Sequence, residues 1–175
     1  GAELAWRVAI VPAEAADALA STLASDEVAG LLAAEALRVA AWRPRWSAEV
    51  DERSLPHESD WIRTAVHLNK GCYRGQETVA KVHNLGHPPR RLVALQLDGS
   101  DSVLPAPGDV VRAGENEVGA ITSVALHYED GPIALAIVKR SAPTDVDLVV
   151  DTSDGPVSAA QEVVVPRDAG ATASV

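Results

Sequence analysis

Three stretches of the sequence decide the fold: Arg91–Leu97 (RLVALQL), Glu117–Leu126 (EVGAITSVAL) and Pro132–Lys139 (PIALAIVK). Each stretch is mainly apolar, contains Val or Ile, and is bounded by turn-forming residues such as Asp98-Gly99. Short apolar stretches between turn signals are typical of β-strands. Because they recur at an even spacing along the chain, they predict a small antiparallel barrel or sandwich.

Three shorter stretches complete a set of five or six predicted strands: Val110–Arg112, Val146–Val150 and Glu162–Val165. We therefore expect residues 90–166 to form a C-terminal β-barrel. The last residues, 167–175, are mostly small and polar, and we expect them to be a flexible tail.

The residues before the barrel favour helices, with one strand at their start. Ala5–Val11 (AWRVAIV) alternates loosely, which indicates a strand that Pro12 ends. Helices are predicted at Ala13–Ala24 and at Leu31–Trp42. The second helix is expected to bury a face made of four residues: Leu31, Ala34, Leu37 and Ala41.

Between these helices and the barrel lies a more irregular region. Residues 43–56 are polar, which indicates an extended segment crossing between structural units. Trp61–Leu68 (WIRTAVHL) is apolar enough for a short helix or a strand, and a turn followed by a strand is the favoured prediction. Gly75–Leu85 (GQETVAKVHNL) is predicted to be a helix that ends at Gly86. Residues 1–89 therefore look like part of an α+β layer and not a closed domain.

The composition is that of a globular protein with an acidic surface. Of the 175 residues, 47% are apolar and 23% are charged, and the formal net charge is −10. This charge argues against general nucleic-acid binding, although residues 63–91 hold six Lys or Arg against one acid and could bind an anion. No apolar run is long enough to predict a transmembrane helix. A single cysteine rules out an internal disulfide and suits the reducing cytoplasm.

One segment concentrates reactive and conformationally free residues: Asn69-Lys70-Gly71-Cys72-Tyr73-Arg74-Gly75-Gln76-Glu77. Its glycines allow a positive φ or a close backbone approach. The segment enters the predicted helix, whose N-terminal N–H groups favour an anion or a thiolate. Two interpretations stay open from the residues alone: a reactive or ligand-binding loop, and a tight turn with Cys72 as packing. The surrounding spacings favour neither a protease-type nucleophile nor a metal site.

Lys70 to Glu77 closely resembles the K-G-C-Y-x-G-Q-E signature of the YgfZ-type folate-binding proteins, relatives of the aminomethyltransferase (T protein) of the glycine cleavage system. Leu55-Pro56-His57-Glu58 resembles the I-P-H-E element of the same family, and Glu35–Val39 resembles its helix before the crossing segment. The resemblance covers about residues 30 to 140. It implies that residues 1–89 are the end of a ferredoxin-like or T-protein-like α+β folate-binding region. The C-terminal antiparallel β-barrel follows.

The resemblance also implies a ligand and its residues. Tetrahydrofolate is the implied cofactor, and Cys72 matches the motif cysteine as a functional thiol. The implied ligand-binding residues are those of the motif and three upstream: Lys70, Gly71, Tyr73, Arg74, Gly75, Gln76, Glu77, Arg38, His57 and Glu58. Arg38 could instead pair with Glu35 on its helix, which the spacing favours. His57 and Glu58 could instead cap the following turn.

The resemblance further implies a role. We expect an accessory protein for iron–sulfur cluster assembly or repair, working with iron–sulfur assembly or client proteins and indirectly affecting tRNA modification. Tetrahydrofolate-dependent aminomethyl transfer is the enzymatic alternative, and tRNA binding by the basic segment 63–91 is a third. The T protein has no cysteine at this motif. Its catalytic aspartate, and most of the folate pocket, would lie N-terminal to this chain, which begins without Met.

Overall fold

The computed structural model describes residues 5–100 and 103–172. Five α-helices precede the barrel: α1 (Ala13–Ala20), α2 (Leu31–Ala40), α3 (Trp46–Glu49), α4 (Trp61–Thr64) and α5 (Gln76–Leu85). Two 3-10 turns, Ser25–Glu27 and Pro56–Ser59, lie between them. Six strands follow: β1 (Arg90–Leu97), β2 (Val110–Ala113), β3 (Asn116–His127), β4 (Gly131–Lys139), β5 (Leu148–Thr152) and β6 (Gly155–Val163).

The six strands form a closed antiparallel barrel in the order β1-β4-β3-β2-β5-β6. Each of these strands pairs with two neighbours, so the barrel has no open edge for another chain to extend. The interior is filled by inward-facing aliphatic residues, among them Val93, Leu95, Val111 and Leu148. The barrel prediction is confirmed, and the sandwich alternative is not.

The barrel also buries part of its outer surface. Leu92 on β1 and Leu135 on β4 point outward, and both are covered by Val39 of α2 and by Val165. Strands buried on both faces are apolar at nearly every position, which explains why β1 and β4 do not alternate strictly. This contact joins the helical part to the barrel.

The barrel strands begin and end differently from the predictions where the sequence is polar. β6 spans Gly155–Val163, whereas the prediction was Glu162–Val165. Most residues of β6 are small or polar, and their pairing with β1 and β5, more than their own β-propensity, makes them a strand. Val165, predicted to be in a strand, instead packs on the outer face of the barrel.

Two predicted strands in the N-terminal part are wrong. Ala5–Val11 is exposed and not in a strand, because no described strand lies beside it to accept its hydrogen bonds. In Trp61–Leu68, the predicted turn is the helical turn α4, and residues 65–68 do not form the predicted strand. The crossing segment is also less extended than predicted, since it contains α3.

The buried face of α2 differs from the predicted one. Leu31 and Leu37 are 84% and 40% exposed, whereas Ala36, Arg38 and Val39 are buried. Apolar residues lie around most of this helix, so its periodicity does not select one face. The position of the barrel decides which residues are covered.

The described part of the predicted flexible tail follows a defined path. Residues 169–172 are hydrogen bonded to the end of α5 and to His87. A free tail therefore does not describe residues 167–172, and residues 173–175 lie outside the described part of the chain.

Candidate functional site

The Cys72 loop is shaped by the start of α5. Gly75 precedes the helix with φ 82°, a left-handed conformation that glycine adopts without strain. The Tyr73 N–H donates to Gln76 Oε1 at 3.1 Å, and the Gln76 N–H donates to the Tyr73 carbonyl at 3.3 Å. These two bonds close a tight turn, so the predicted loop running into a helix is present.

The turn presents Cys72 to solvent. The thiol is free and exposed. Lys70 Nζ lies 5.8 Å from the centre of the half-buried Tyr73 ring, within the range of a cation–π contact. Gly71 has no atom within 4 Å of the position where a Cβ would be, so it faces open space.

A cleft of about 460 Å³ lies between this turn and α5. Four predicted site residues line it: Lys70, Tyr73, Gln76 and Glu77. The other lining residues are Leu68, Asn69, Ala80, His83 and Asn84. His83 and Asn84 were not predicted as site residues, although they follow Gln76 at seven and eight positions, a spacing that places them on the same helix face.

The remaining predicted residues lie elsewhere or at the edge of the turn. Gly71, Cys72, Arg74 and Gly75 belong to the same loop but do not line the cleft. A cleft of similar size, about 490 Å³, lies between the end of α2 and the outer face of the barrel, and it contains none of the predicted site residues.

His57 and Glu58 are buried beneath the site and do not line its cleft. Glu58 accepts hydrogen bonds from Arg90 at 2.8 and 3.3 Å. Arg90 also binds Asp51 and holds the pKa of that carboxyl well below its ordinary value. Arg90 therefore joins the first barrel strand to the crossing segment through Asp51 and to the Pro56–Ser59 turn through Glu58.

His57 is packed without polar partners. Within the described part of the chain, neither ring nitrogen has a hydrogen-bond partner. Burial, followed by the electrostatic effect of the nearby His83 ring, lowers the pKa of His57. The two imidazole rings lie 6.1 Å apart, so His57 supports the helix that carries His83 and Asn84.

Arg38 is held in a network of hydrogen bonds and ion pairs. Its guanidinium donates to both carboxylate oxygens of Glu35, at 2.6 and 3.0 Å, as the spacing favoured. It also reaches Ser123 Oγ on β3 at 2.6 Å and the carboxylate of Glu49 at 3.4 Å. Glu49 is 3% exposed, so this network ties α2 and α3 to the barrel in a nearly dry environment.

The basic segment 63–91 offers fewer surface cations than its composition indicates. Arg63 pairs with Asp60, Arg90 pairs with two acids, and Arg91 is fully buried. Arg63 is exposed but paired, so the exposed cations of the segment for which the described residues show no ion pair are Lys70, Arg74 and Lys81. In the described ranges, no group of three or more His, Cys, Asp or Glu side chains is placed to hold a metal ion, and no helix is long and apolar enough to cross a bilayer.

Known proteins are similar in sequence to parts of this chain. Residues 90–167 match the family model of the CAF17 C-terminal β-barrel domain. A chloroplastic protein of Arabidopsis thaliana, whose name describes a transferase, is 31% identical over 118 residues, or 65% of this chain. The tRNA-modifying protein YgfZ of Aliivibrio fischeri is 39% identical over 87 residues, or 47% of this chain. The matched segment spans 25% of the length of each relative.

The fold is shared with a solved enzyme. The crystal structure of the glycine cleavage system aminomethyltransferase T from Bartonella henselae superposes with a TM-score of 0.68. The match covers 90% of this chain and 45% of that one, at 21% sequence identity. This likeness confirms the predicted T-protein-like α+β fold with a C-terminal antiparallel barrel. Residues 90–167 thus match the CAF17-type C-terminal barrel, the chain is similar in sequence to YgfZ, and it shares the fold of the glycine cleavage T protein.

Proposed function

We propose that this chain supplies one wall of a folate-binding site in a YgfZ-type accessory protein. The observation that carries the proposal is the polar cleft formed by the Cys72 turn and α5, which contains four residues of the folate-binding signature. A volume of about 460 Å³ falls within the range of small-molecule sites. Because the chain spans a minority of the length of its relatives, the remaining walls would come from other parts of the protein.

The lining suits the parts of a folate. The pterin ring carries adjacent hydrogen-bond donors and acceptors, and the side chains of Asn69, Gln76, Glu77 and Asn84 offer both kinds. The Lys70 ammonium would pair with a carboxylate of the glutamate tail, and the Tyr73 ring offers an aromatic surface. Tetrahydrofolate supplies one-carbon chemistry when bound. The residues of this chain hold and orient it.

A charge-matched pair of lysines tests the cleft. Lys70 lines it, whereas Lys81 is exposed on α5 and does not. We expect Lys70→Ala to weaken tetrahydrofolate binding by the intact protein about tenfold, equivalent to about 1.4 kcal/mol, because a charge-assisted hydrogen bond is lost. Isothermal titration calorimetry measures the change.

The control is Lys81→Ala, which removes a charge of the same sign from α5, outside the cleft, and should leave the affinity for tetrahydrofolate unchanged. Equal weakening by both substitutions would show general electrostatic attraction rather than a site. No heat of binding to the unsubstituted protein would remove the proposal.

The family relationship supports a wider role for Cys72. A relative is named for tRNA modification, and we propose that the protein supports iron–sulfur enzymes, including those that modify tRNA, in the cytoplasm. The exposed thiol is accessible to a partner protein or a cluster-assembly intermediate. This arrangement favours an accessory role over aminomethyl transfer, since the match to the aminomethyltransferase shows only the fold.

Cys72→Ala is expected to abolish support of iron–sulfur enzyme activity in cells that lack the native gene. Because the thiol is exposed and lies outside the cleft lining, the free energy of unfolding should be nearly unchanged. The dissociation constant for tetrahydrofolate should stay within about twofold of the native value. Enzyme assays in complemented cells measure the effect. Full activity with the alanine variant would contradict a role for the thiol.

A further inference from the structure

The C-terminal segment 169–172 lies against the end of α5. The Thr172 N–H and hydroxyl both donate to the His83 carbonyl, at 2.8 and 3.0 Å. The Ala171 N–H donates to the Val82 carbonyl at 3.3 Å. The last carbonyls of a helix have no partner within the helix, and Thr172 supplies donors to that of His83, whereas that of Val82 also accepts the Gly86 N–H.

Gly170 allows the two segments to approach so closely. Its φ is 90°, and a Cβ at this position would lie 2.3 Å from the Gly86 carbonyl oxygen and 2.8 Å from that of Val82. Both contacts are to backbone atoms, which cannot rotate away. The His87 ring adds a hydrogen bond from Nδ1 to the Ala169 carbonyl at 2.9 Å.

The segment is itself anchored to the barrel. Val165 is buried, and its N–H donates to the Leu92 carbonyl at 3.1 Å. Arg140, just after β4, donates to the Arg167 carbonyl at 3.2 Å. Residues 165–172 therefore run from a rigid barrel contact to the end of the helix. Residues 169–172 lie beyond the part that the barrel family model matches.

α5 has few other attachments. Of its ten residues, all of which are described, only Val79 is buried. Leu85 is 73% exposed, and the His57 ring beneath His83 makes no hydrogen bond to a described residue. An amphipathic helix of this length is not stable by itself in water.

We propose that residues 169–172 act as a clasp that positions α5, and through it the Cys72 turn. The barrel is the fixed part, and the clasp transmits its position to the helix. Loss of the clasp would free the C-terminal half of α5, including His83 and Asn84, and change the shape of the cleft. The consequence for ligand binding rests on the folate site proposed above, whereas the effect on the helix does not.

Gly170→Val tests the clasp, with Gly108→Val as the matched control. Gly108 has a similar φ of 99°, but no atom lies within 4 Å of its Cβ position. Both substitutions therefore introduce the same backbone strain, and only the first introduces a clash with the helix end. We expect amides of Val79–Leu85 to exchange hydrogen about tenfold faster in Gly170→Val than in the native protein or in Gly108→Val. Exchange in β1 and β4 should not change.

A chain that ends at Asp168 removes the clasp without strain and should give the same exchange pattern, which keeps the test valid if the valine variant aggregates. Unchanged exchange in α5 for the shortened chain would overturn the proposal. Faster exchange together with weaker tetrahydrofolate binding would support both the clasp and the folate site. Faster exchange with unchanged binding would support the clasp and count against the cleft as the ligand site.

Discussion

Gly119→Ala is expected to lower the free energy of unfolding by about 3 kcal/mol, near the upper end of the usual cost of overpacking. Gly119 lies in β3 opposite Val138 of β4. A Cβ there would lie 2.2 Å from the Ile137 carbonyl oxygen and 2.7 Å from the Val138 Cα. Because both contacts are to backbone atoms, one strand would have to move before they could reach a normal distance. The hydrogen-bonded pairing of the barrel resists that movement. Thermal unfolding should show a melting temperature lower by about 6–12 °C.

Gly30→Ala is the matched control for this prediction. Gly30 has φ −74°, and no atom lies within 4 Å of its Cβ position. The same methyl group should therefore change stability by no more than about 0.5 kcal/mol. Equal melting temperatures for the two variants would show that β3 and β4 separate without cost, which contradicts a tightly closed barrel.

Arg38→Met is expected to destabilise the protein by about 3 kcal/mol, because removing one partner of a buried ion pair leaves the other charge uncompensated. The stranded group is the Glu49 carboxylate, which keeps the Arg45 N–H at 2.6 Å and the Ser123 hydroxyl as donors. Denaturant unfolding measures the loss. Arg45→Met is the control: Arg45 also pairs with Glu35, but its side chain is 51% exposed, so the loss should be below about 1 kcal/mol.

The same variant should alter the dependence of stability on pH. The hydrogen bond from Arg38 holds the pKa of Glu35 below its ordinary value of 4.5. A carboxyl with a lowered folded-state pKa stabilises the fold above its unfolded-state pKa, and this contribution is lost as the pH falls through the folded-state value. Without Arg38, the pKa of Glu35 returns toward its ordinary value. The stability difference between native protein and variant should therefore shrink below about pH 4.5, and a constant difference from pH 7 to pH 3 would contradict this account.

Local sequence signals predicted the parts whose structure depends on neighbouring residues. β1 and β4 are long apolar stretches, and their bounds differ from the predicted ones by a single residue. α5 begins after Gly75 and ends before Gly86, as its glycines indicate. The turn around Cys72 also depends on nearby glycines, Gly71 and Gly75, so the local shape of this segment was predictable from the sequence.

Features that depend on distant residues were not predictable in the same way. The alternating residues of Ala5–Val11 favour a strand, yet a strand forms only where another strand supplies hydrogen bonds. The buried face of α2 depends on the barrel, because Leu31 and Val39 are equally suitable for burial by composition. The spacing of Arg38 and Glu35 indicates their ion pair, but it does not show that Arg38 also donates to Ser123, which lies 85 positions away.

The sequence by itself determined the apolar strands β1, β3 and β4, the α5 helix and the Cys72 turn, because each depends on apolar spacing or glycine conformation within a few residues. Only the tertiary structure shows that Arg38 and Glu58 are held in ion pairs, that His83 and Asn84 share a cleft with Lys70, and that residues 169–172 are hydrogen bonded to the end of α5. These arrangements come from hydrogen bonds, ion pairs and burial between segments far apart in the chain. Their free energy exists only once the barrel has brought those segments together. The segment at Cys72 therefore takes its turn from its own residues, and we propose that it takes its position from the barrel through the C-terminal clasp.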